Sequence, residues 1–319
     1  MNQVTCMNIS VKQKSSPAAN LLSAVLMVTL LVVLTLPAQA VELPRQADEQ
    51  VLNERALTFW QRLNEARANP LAAAARLGIS EQTVRIVFAD TPWVVDQGLA
   101  PLAWNGQLRN ASAAHGRDMF DRSYYGHRTP EGWYYDGRVA AAGYPASYTG
   151  ESISGLFFSS YVPMELALDY LVDTMLYDEL TGNTAVQRNI FSPDLTEAGV
   201  ALFAETGNPT GDKRNPYAYV VVTTFAAPVE PRAWLIGTYE ATGRPALRSL
   251  AEGVWRYVAA DYLPAPGLFQ VPWAKGGMQL LVAADGGLGS PSEPLTLRDD
   301  FRGLNRMVDL RSLVPQLAE

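Results

Sequence analysis

Few residues in this chain can do chemistry. Its 319 residues include two histidines, His115 and His127, and one cysteine, Cys6. A multi-cysteine zinc site, an iron–sulfur cluster and a catalytic cysteine in the folded part are thereby excluded. His127 stands between Tyr124-Tyr125-Gly126 and a Thr129-Pro130 turn, in a loop whose side chains can face a cleft. Glu151 follows Gly150 and opens an apolar stretch, so its carboxylate enters a buried element and needs a partner there. His127 is the natural one, and the pairing favours the charged form of each. Such a pair is either a general acid and base or a strut of the fold. His115 precedes Met119 by one helical turn, beside Arg117 and Asp118, and reads as a satisfied, partly buried helix residue or as part of the cleft wall. A serine hydrolase needs an activated nucleophile, but no Gly-x-Ser-x-Gly elbow occurs and only Ser152 and Ser154 lie near Glu151. The aromatic residues Tyr124, Tyr125, Trp133, Tyr134, Tyr135, Tyr144 and Tyr148 either line a groove for sugar or lipid or pack over a small core with wet hydroxyls. Arg188 and Asn189 read as a loop-organising pair.

The elements that position these residues are legible in part. Val51, Leu52, Ala56, Phe59, Trp60, Leu63 and Ala66 recur at three and four, predicting a helix over 47–68 that Asn69-Pro70 stops. Further helices are expected over 71–77, 105–120 and 164–175. Residues 198–203 and 217–225 read as strands, the second carrying Val220-Val221-Val222-Thr223-Thr224, joined as a hairpin by a long Gly/Pro/Asn loop. Composition changes at Ala226-Ala227-Pro228-Val229-Glu230-Pro231. Beyond it, 234–239, 268–272, 278–283 and 307–310 read as short strands of a small all-β domain.

Composition narrows the setting. The 25 basic and 32 acidic residues give a net charge of −7, with no basic run, so a nucleic acid is not an expected partner. Lys12 and Lys14 precede the apolar run Leu21 to Leu36, which ends in Pro37-Ala38-Gln39-Ala40. This is the pattern of a signal peptide over 1–40, cleaved after Ala40. The run is shorter than the roughly 20 residues of a spanning helix. The expectation is an exported chain, periplasmic or extracellular, with no membrane anchor after cleavage and no cysteine.

Several segments together resemble one family. Leu63-Asn64-Glu65-Ala66-Arg67-Ala68-Asn69-Pro70 comes first, then Pro101-Leu102-Ala103-Trp104-Asn105 and Ala113-Ala114-His115-Gly116-Arg117-Asp118-Met119. Gly126-His127-Arg128-Thr129-Pro130-Glu131-Gly132, Gly150-Glu151-Ser152-Ile153 and Arg188-Asn189-Ile190-Phe191-Ser192-Pro193 follow in the same order. The series is similar to the bacterial branch of the CAP superfamily, the secreted SCP and pathogenesis-related proteins. The resemblance implies an α+β fold: an α-β-α sandwich over 41–228, then a β-sandwich domain over 229–319. The latter resembles a prealbumin-like or carboxypeptidase-regulatory-like module.

The resemblance also implies a cleft in which two histidines and two acidic residues can hold a divalent metal such as zinc. His127 matches the first histidine and Glu151 the first glutamate. The second histidine position falls on Val186, and Asp173 is the candidate for the second acid. A site with a ligand lost at Val186 is at most weak, so no cofactor is expected beyond a weakly held zinc ion. Tyr124, Tyr125, Tyr148 and His115 are the candidate walls of the cleft. Two functions follow. One is a non-enzymatic protein binding a lipid, a glycan or another surface protein. The other is a secreted hydrolase using His127 and Glu151, with or without metal.

Overall fold

A computed structural model describes residues 5–8, 48–183, 187–239, 246–251, 254–263, 267–273, 278–281, 295–297 and 305–309. Most of the expected signal peptide, and Val186, lie outside the described residues. Helix α1 (Glu49–Ala68) starts where the Asp48 carboxylate accepts the Gln50 N–H at 2.9 Å, and buries Ala56, Phe59, Trp60, Leu63 and Ala66. Asn69 ends it and caps α2 (Pro70–Arg76) by accepting from Ala72 N, with Pro70 in the first turn. Helices α3 (Glu81–Val87) and α4 (Pro92–Gln97) follow, short pieces with too few apolar repeats to be read from spacing. Asn105 caps α5 (Gly106–Asp121) through Gln107 N and Leu108 N. Helix α6 (Tyr135–Ala141) was not anticipated, and α7 (Met164–Thr181) runs beyond the expected 175, to Gly182 in the left-handed region.

The central sheet orders β1 (Thr5–Asn8), β3 (Ala146–Phe158), β5 (Tyr217–Pro228), β4 (Glu197–Thr206) and β2 (Ala103–Trp104) side by side. β3, β5 and β4 are antiparallel, with Glu151 opposite Thr224 and Gly199 opposite Thr224 across the other edge of β5. β1, which falls inside the expected 1–40 leader and would leave with it on cleavage after Ala40, adds antiparallel to the edge of β3, and β2 runs parallel to β4. On one face Ile153, Phe157, Ala201, Phe203, Val220 and Val222 pack with Met119 of α5, while Leu108, Val139 and Ala226 form an adjoining cluster. On the other, Leu156, Phe158, Val200, Leu202, Tyr219, Val221 and Phe225 pack with Phe59, Trp60, Leu63, Leu171 and Leu176. Burial on both faces explains the unbroken apolar run in β5. Helix α5 lies close on the sheet because position 199 is glycine: a Cβ there would stand 1.9 Å from the Arg109 nitrogen.

From Trp234 onward the described residues form two four-stranded sheets. One orders β13 (Arg306–Asp309), β6 (Trp234–Thr238), β10 (Leu268–Pro272) and β9 (Asp261–Tyr262). The other orders β12 (Leu295–Leu297), β11 (Met278–Leu281), β7 (Ala246–Ala251) and β8 (Val254–Val258). The first is fixed to the α/β part by buried polar groups. The Gln270 amide bonds both N and O of Trp104, at 3.0 and 2.7 Å, completing the β2 edge as a strand would. Asn305 donates to Pro101 O and Thr196 O. Arg232 grips the buried Glu197, which also accepts from Asn105 and the Trp234 indole.

Candidate functional site

Strand alternation decides which side chains meet. Glu151 shares the face of Ile153 and Phe157, so it points toward α5 and α6. Position 150 is glycine because the Asn189 amide crosses it, its Oδ1 2.3 Å from where a Cβ would be. That amide donates to Glu151 O at 3.0 Å and to Ser152 Oγ at 3.1 Å, clamping the strand beneath the carboxylate.

The carboxylate of Glu151 is buried and both oxygens are engaged. Oε1 lies 2.9 Å from His127 Nδ1 and 3.8 Å from His115 Nε2, and Oε2 accepts from the Arg138 guanidinium at 2.6 Å. Burial pushes the Glu151 carboxyl up, but the His127 hydrogen bond and the surrounding positive charge outweigh it and hold it below the usual carboxylate range. Burial holds His115 below the ordinary imidazole value, with Arg138 adding and Glu151 opposing. With His115 neutral at pH 7, ionisation of Glu151 rests on Arg138 and His127. An ionised Glu151 requires the proton of His127 on Nδ1, which leaves Nε2 as an acceptor on a side chain 27% exposed.

Arg138 was missing from the expected site. It stands on the short α6, and the same guanidinium donates to His127 O at 3.1 Å and Trp133 O at 3.3 Å, tying the 127–133 loop down over Glu151. His115 is fully enclosed, its Nε2 2.9 Å from Gly126 O. Tyr124 covers it: just past the end of α5, Ser123 adopts the left-handed region (φ 53°), which returns Tyr124 over His115 so that its hydroxyl meets Asp118 and lies 3.3 Å from His115 Nδ1. Tyr125 packs its ring on Phe157, centroids 5.5 Å apart. Tyr148 is at the rim, its hydroxyl 3.3 Å from Gln187 Nε2.

Two expected members are elsewhere. Asp173 sits on α7, across the sheet from Glu151, and pairs with Arg76 at 2.6 Å beside a surface groove of about 470 Å³. It is not a cleft ligand, because the sheet lies between. Tyr144 lies under Arg232, whose guanidinium is 5.7 Å from its ring, and belongs to the joint with the C-terminal sheets. Ser152 and Ser154 share the opposite sheet face, so neither is a nucleophile for His127. Among the described residues no three His, Cys, Asp or Glu side chains are grouped to hold a metal ion.

A second buried carboxylate was also missed. Glu179 of α7 accepts the backbone N–H groups of Asn189, Ile190 and Phe191 at 3.0–3.1 Å. Arg67 of α1 gathers the carbonyls of Ala100, Ile190, Ser192 and Leu195. The signal for both is positional: each charge falls on the apolar stripe of its helix, after Phe59/Trp60/Leu63 and after Val172/Met175/Leu176.

The profile of the cysteine-rich secretory protein (CAP) family matches residues 60–225. Among solved structures, an extracellular protein containing an SCP domain from Bacillus anthracis str. Ames aligns at 17% identity over 46% of this chain, with a TM-score of 0.26. The alignment spans 39% of that protein's chain. No curated protein matches. No helix among the described residues is long and apolar enough to cross a membrane.

Proposed function

This chain belongs to the cysteine-rich secretory protein (CAP) family, and from that premise we propose that it is exported and binds a ligand through the Glu151 cleft without catalysing a reaction. The observation that carries the reading is the engagement of Glu151. A metal-binding carboxylate needs a lone pair directed at the ion, whereas Oε2 faces a guanidinium at 2.6 Å and Oε1 faces His127. The fixed charge of Arg138 also repels a cation. His115, the other imidazole at hand, has Nε2 committed to Gly126 O. These residues do not fit a divalent metal, and the cleft reads as a degenerate form of one. Export rests on the 1–40 leader pattern. The two C-terminal sheets read as a β-sandwich of structural or adhesive role, docked through Glu197, Gln270 and Asn305.

One observation favours the alternative, a hydrolase. Glu151 orients His127 through Nδ1 and leaves Nε2 to take a proton from a bound water. Zinc calorimetry and an ester- and peptide-hydrolysis screen on the full chain separate the readings. The expected result is zinc affinity weaker than micromolar, tightened by Val186→His, and no turnover that depends on His127. Sub-micromolar zinc binding, or hydrolysis, that disappears in His127→Ala contradicts the proposal.

A further inference from the structure

The rim of this cleft carries aromatic surface that neither an ion nor a base would use. Trp133 is 59% exposed, Tyr148 43% and Tyr134 40%. Their positions are fixed rather than loose. Trp133 N donates to Thr129 Oγ1 at 3.1 Å, and Trp133 O accepts from Thr129 N at 3.0 Å and from Arg138 at 3.3 Å. Its indole packs over Gly137 of α6, with Cε3 3.6 Å from where a Cβ would stand. Tyr134 meets Tyr135 edge-on at 5.4 Å, under the Arg128 guanidinium at 4.8 Å. Gln187 bridges the two sides of the rim: Tyr135 Oη donates to its Oε1 at 3.5 Å, and its Nε2 donates to Tyr148 Oη at 3.3 Å. Those bonds are long, so a ligand hydroxyl can replace either at little loss.

We infer that the rim is a carbohydrate platform for a β-linked pyranose oligosaccharide. Its ring faces stack on Trp133 and Tyr148, and its hydroxyls meet Gln187, Tyr135 and the exposed edge of His127. The inference rests on the ligand-cleft reading and names the ligand class. A pyranose has apolar C–H faces and a polar hydroxyl edge, and this rim offers the complement: flat aromatic surface alternating with an amide and phenolic hydroxyls. Aromatic residues already held by main-chain bonds and by glycine packing lose little freedom on binding. An acyl chain fits worse. It would cover Gln187 and the tyrosine hydroxyls without replacing their polar contacts.

The test is calorimetry of the full chain with cellohexaose and with chitohexaose. The expected result is saturable binding of at least one hexasaccharide, weakened tenfold or more by Trp133→Ala and threefold or more by Gln187→Ala. Trp93→Ala, which removes a second exposed tryptophan on α4 in the other helical layer, leaves the affinity unchanged. Because Trp133 is exposed, its variant should melt within a degree or two of the parent. No saturable heat with either sugar at millimolar concentration overturns the inference, as does equal weakening by Trp93→Ala and Trp133→Ala. Binding of a lipid vesicle or a protein that is lost in Trp133→Ala, with neither sugar bound, overturns it too. Failure of the sugar leaves the non-catalytic reading to the zinc and hydrolysis tests. Cleavage of a bound hexasaccharide that depends on His127 keeps the sugar and overturns that reading.

Discussion

Glu151 and Glu179 are both buried acids, on opposite sides of one sheet, and the protein solves their burial differently. Glu151 faces the Arg138 guanidinium at 2.6 Å and the His127 imidazole at 2.9 Å, and is held ionised. Glu179 is offered three backbone N–H groups and the more distant Arg67, and burial wins: its carboxyl is pushed up to about 8. Arg67 pays the corresponding penalty, lowered by burial to about 9 against the pull of Glu179. The two acids are linked by Asn189, whose backbone N–H is held by Glu179 and whose amide holds the carbonyl of Glu151. The difference teaches a division of labour. One carboxylate shapes a loop from inside, and the other orients the single partly accessible imidazole, that of His127, at the surface.

The harshest way to break the comparison is Arg67→Ala. Four carbonyls lose their donor and Glu179 loses the Arg67 charge, so urea unfolding should report a loss of ~3–5 kcal/mol. A loss below about 1 kcal/mol would mean that the 189–195 loop holds itself.

The pH dependence separates the two acids by sign. The folded value of Glu179 lies above its unfolded value of 4.5, so the folded chain keeps an extra proton and this group costs stability as pH rises from 4.5 to about 8. Glu151 is the reverse. Its stabilisation is present above 4.5 and is lost as pH falls through its lower folded value. Against Glu179→Gln, the parent should therefore lose on the order of 2 kcal/mol between about pH 5 and pH 8 in chemical denaturation. A difference that stays flat over that range contradicts the protonated Glu179.

Arg138→Met sharpens the other side. It leaves Glu151 buried with His127 as its main partner and frees the 127–133 loop, at a cost of ~1–3 kcal/mol. The variant also removes the charge that repels a cation, so zinc affinity should rise. Unchanged zinc affinity would show that Arg138 is not what spoils the site.

How much of this was legible in the sequence depended on periodicity. Helices α1 and α5 follow from apolar spacing over ten or more residues, and the β4–β5 hairpin from apolar runs, the second β-branched, on either side of a Gly/Pro/Asn loop. The His127–Glu151 pair follows from one carboxylate entering a buried strand near one loop imidazole. Helices α3, α4 and α6 are too short for spacing to speak, and Arg138 was hidden with α6. Asp173 was misplaced because sequence distance says nothing about which side of a sheet a helix covers. It lies off the buried stripe of α7 that Glu179 occupies, so the same helix could have given the right answer for one acid and a warning about the other. The C-terminal joint rests on Gln270 and Asn305, single amides with no pattern around them.

Because the chain has two histidines, one spectrum tests the central claim that Glu151 is an internally satisfied carboxylate and not a metal ligand. Long-range 1H–15N correlation of both imidazoles, recorded at pH 7 with and without one equivalent of zinc, reads their protonation and ligation directly. A neutral His115, a proton on His127 Nδ1 and no movement of either ring's signals on adding zinc are the expected result. Nitrogen shifts of His127 and His115 that move together to a metal-bound value at micromolar zinc would contradict it.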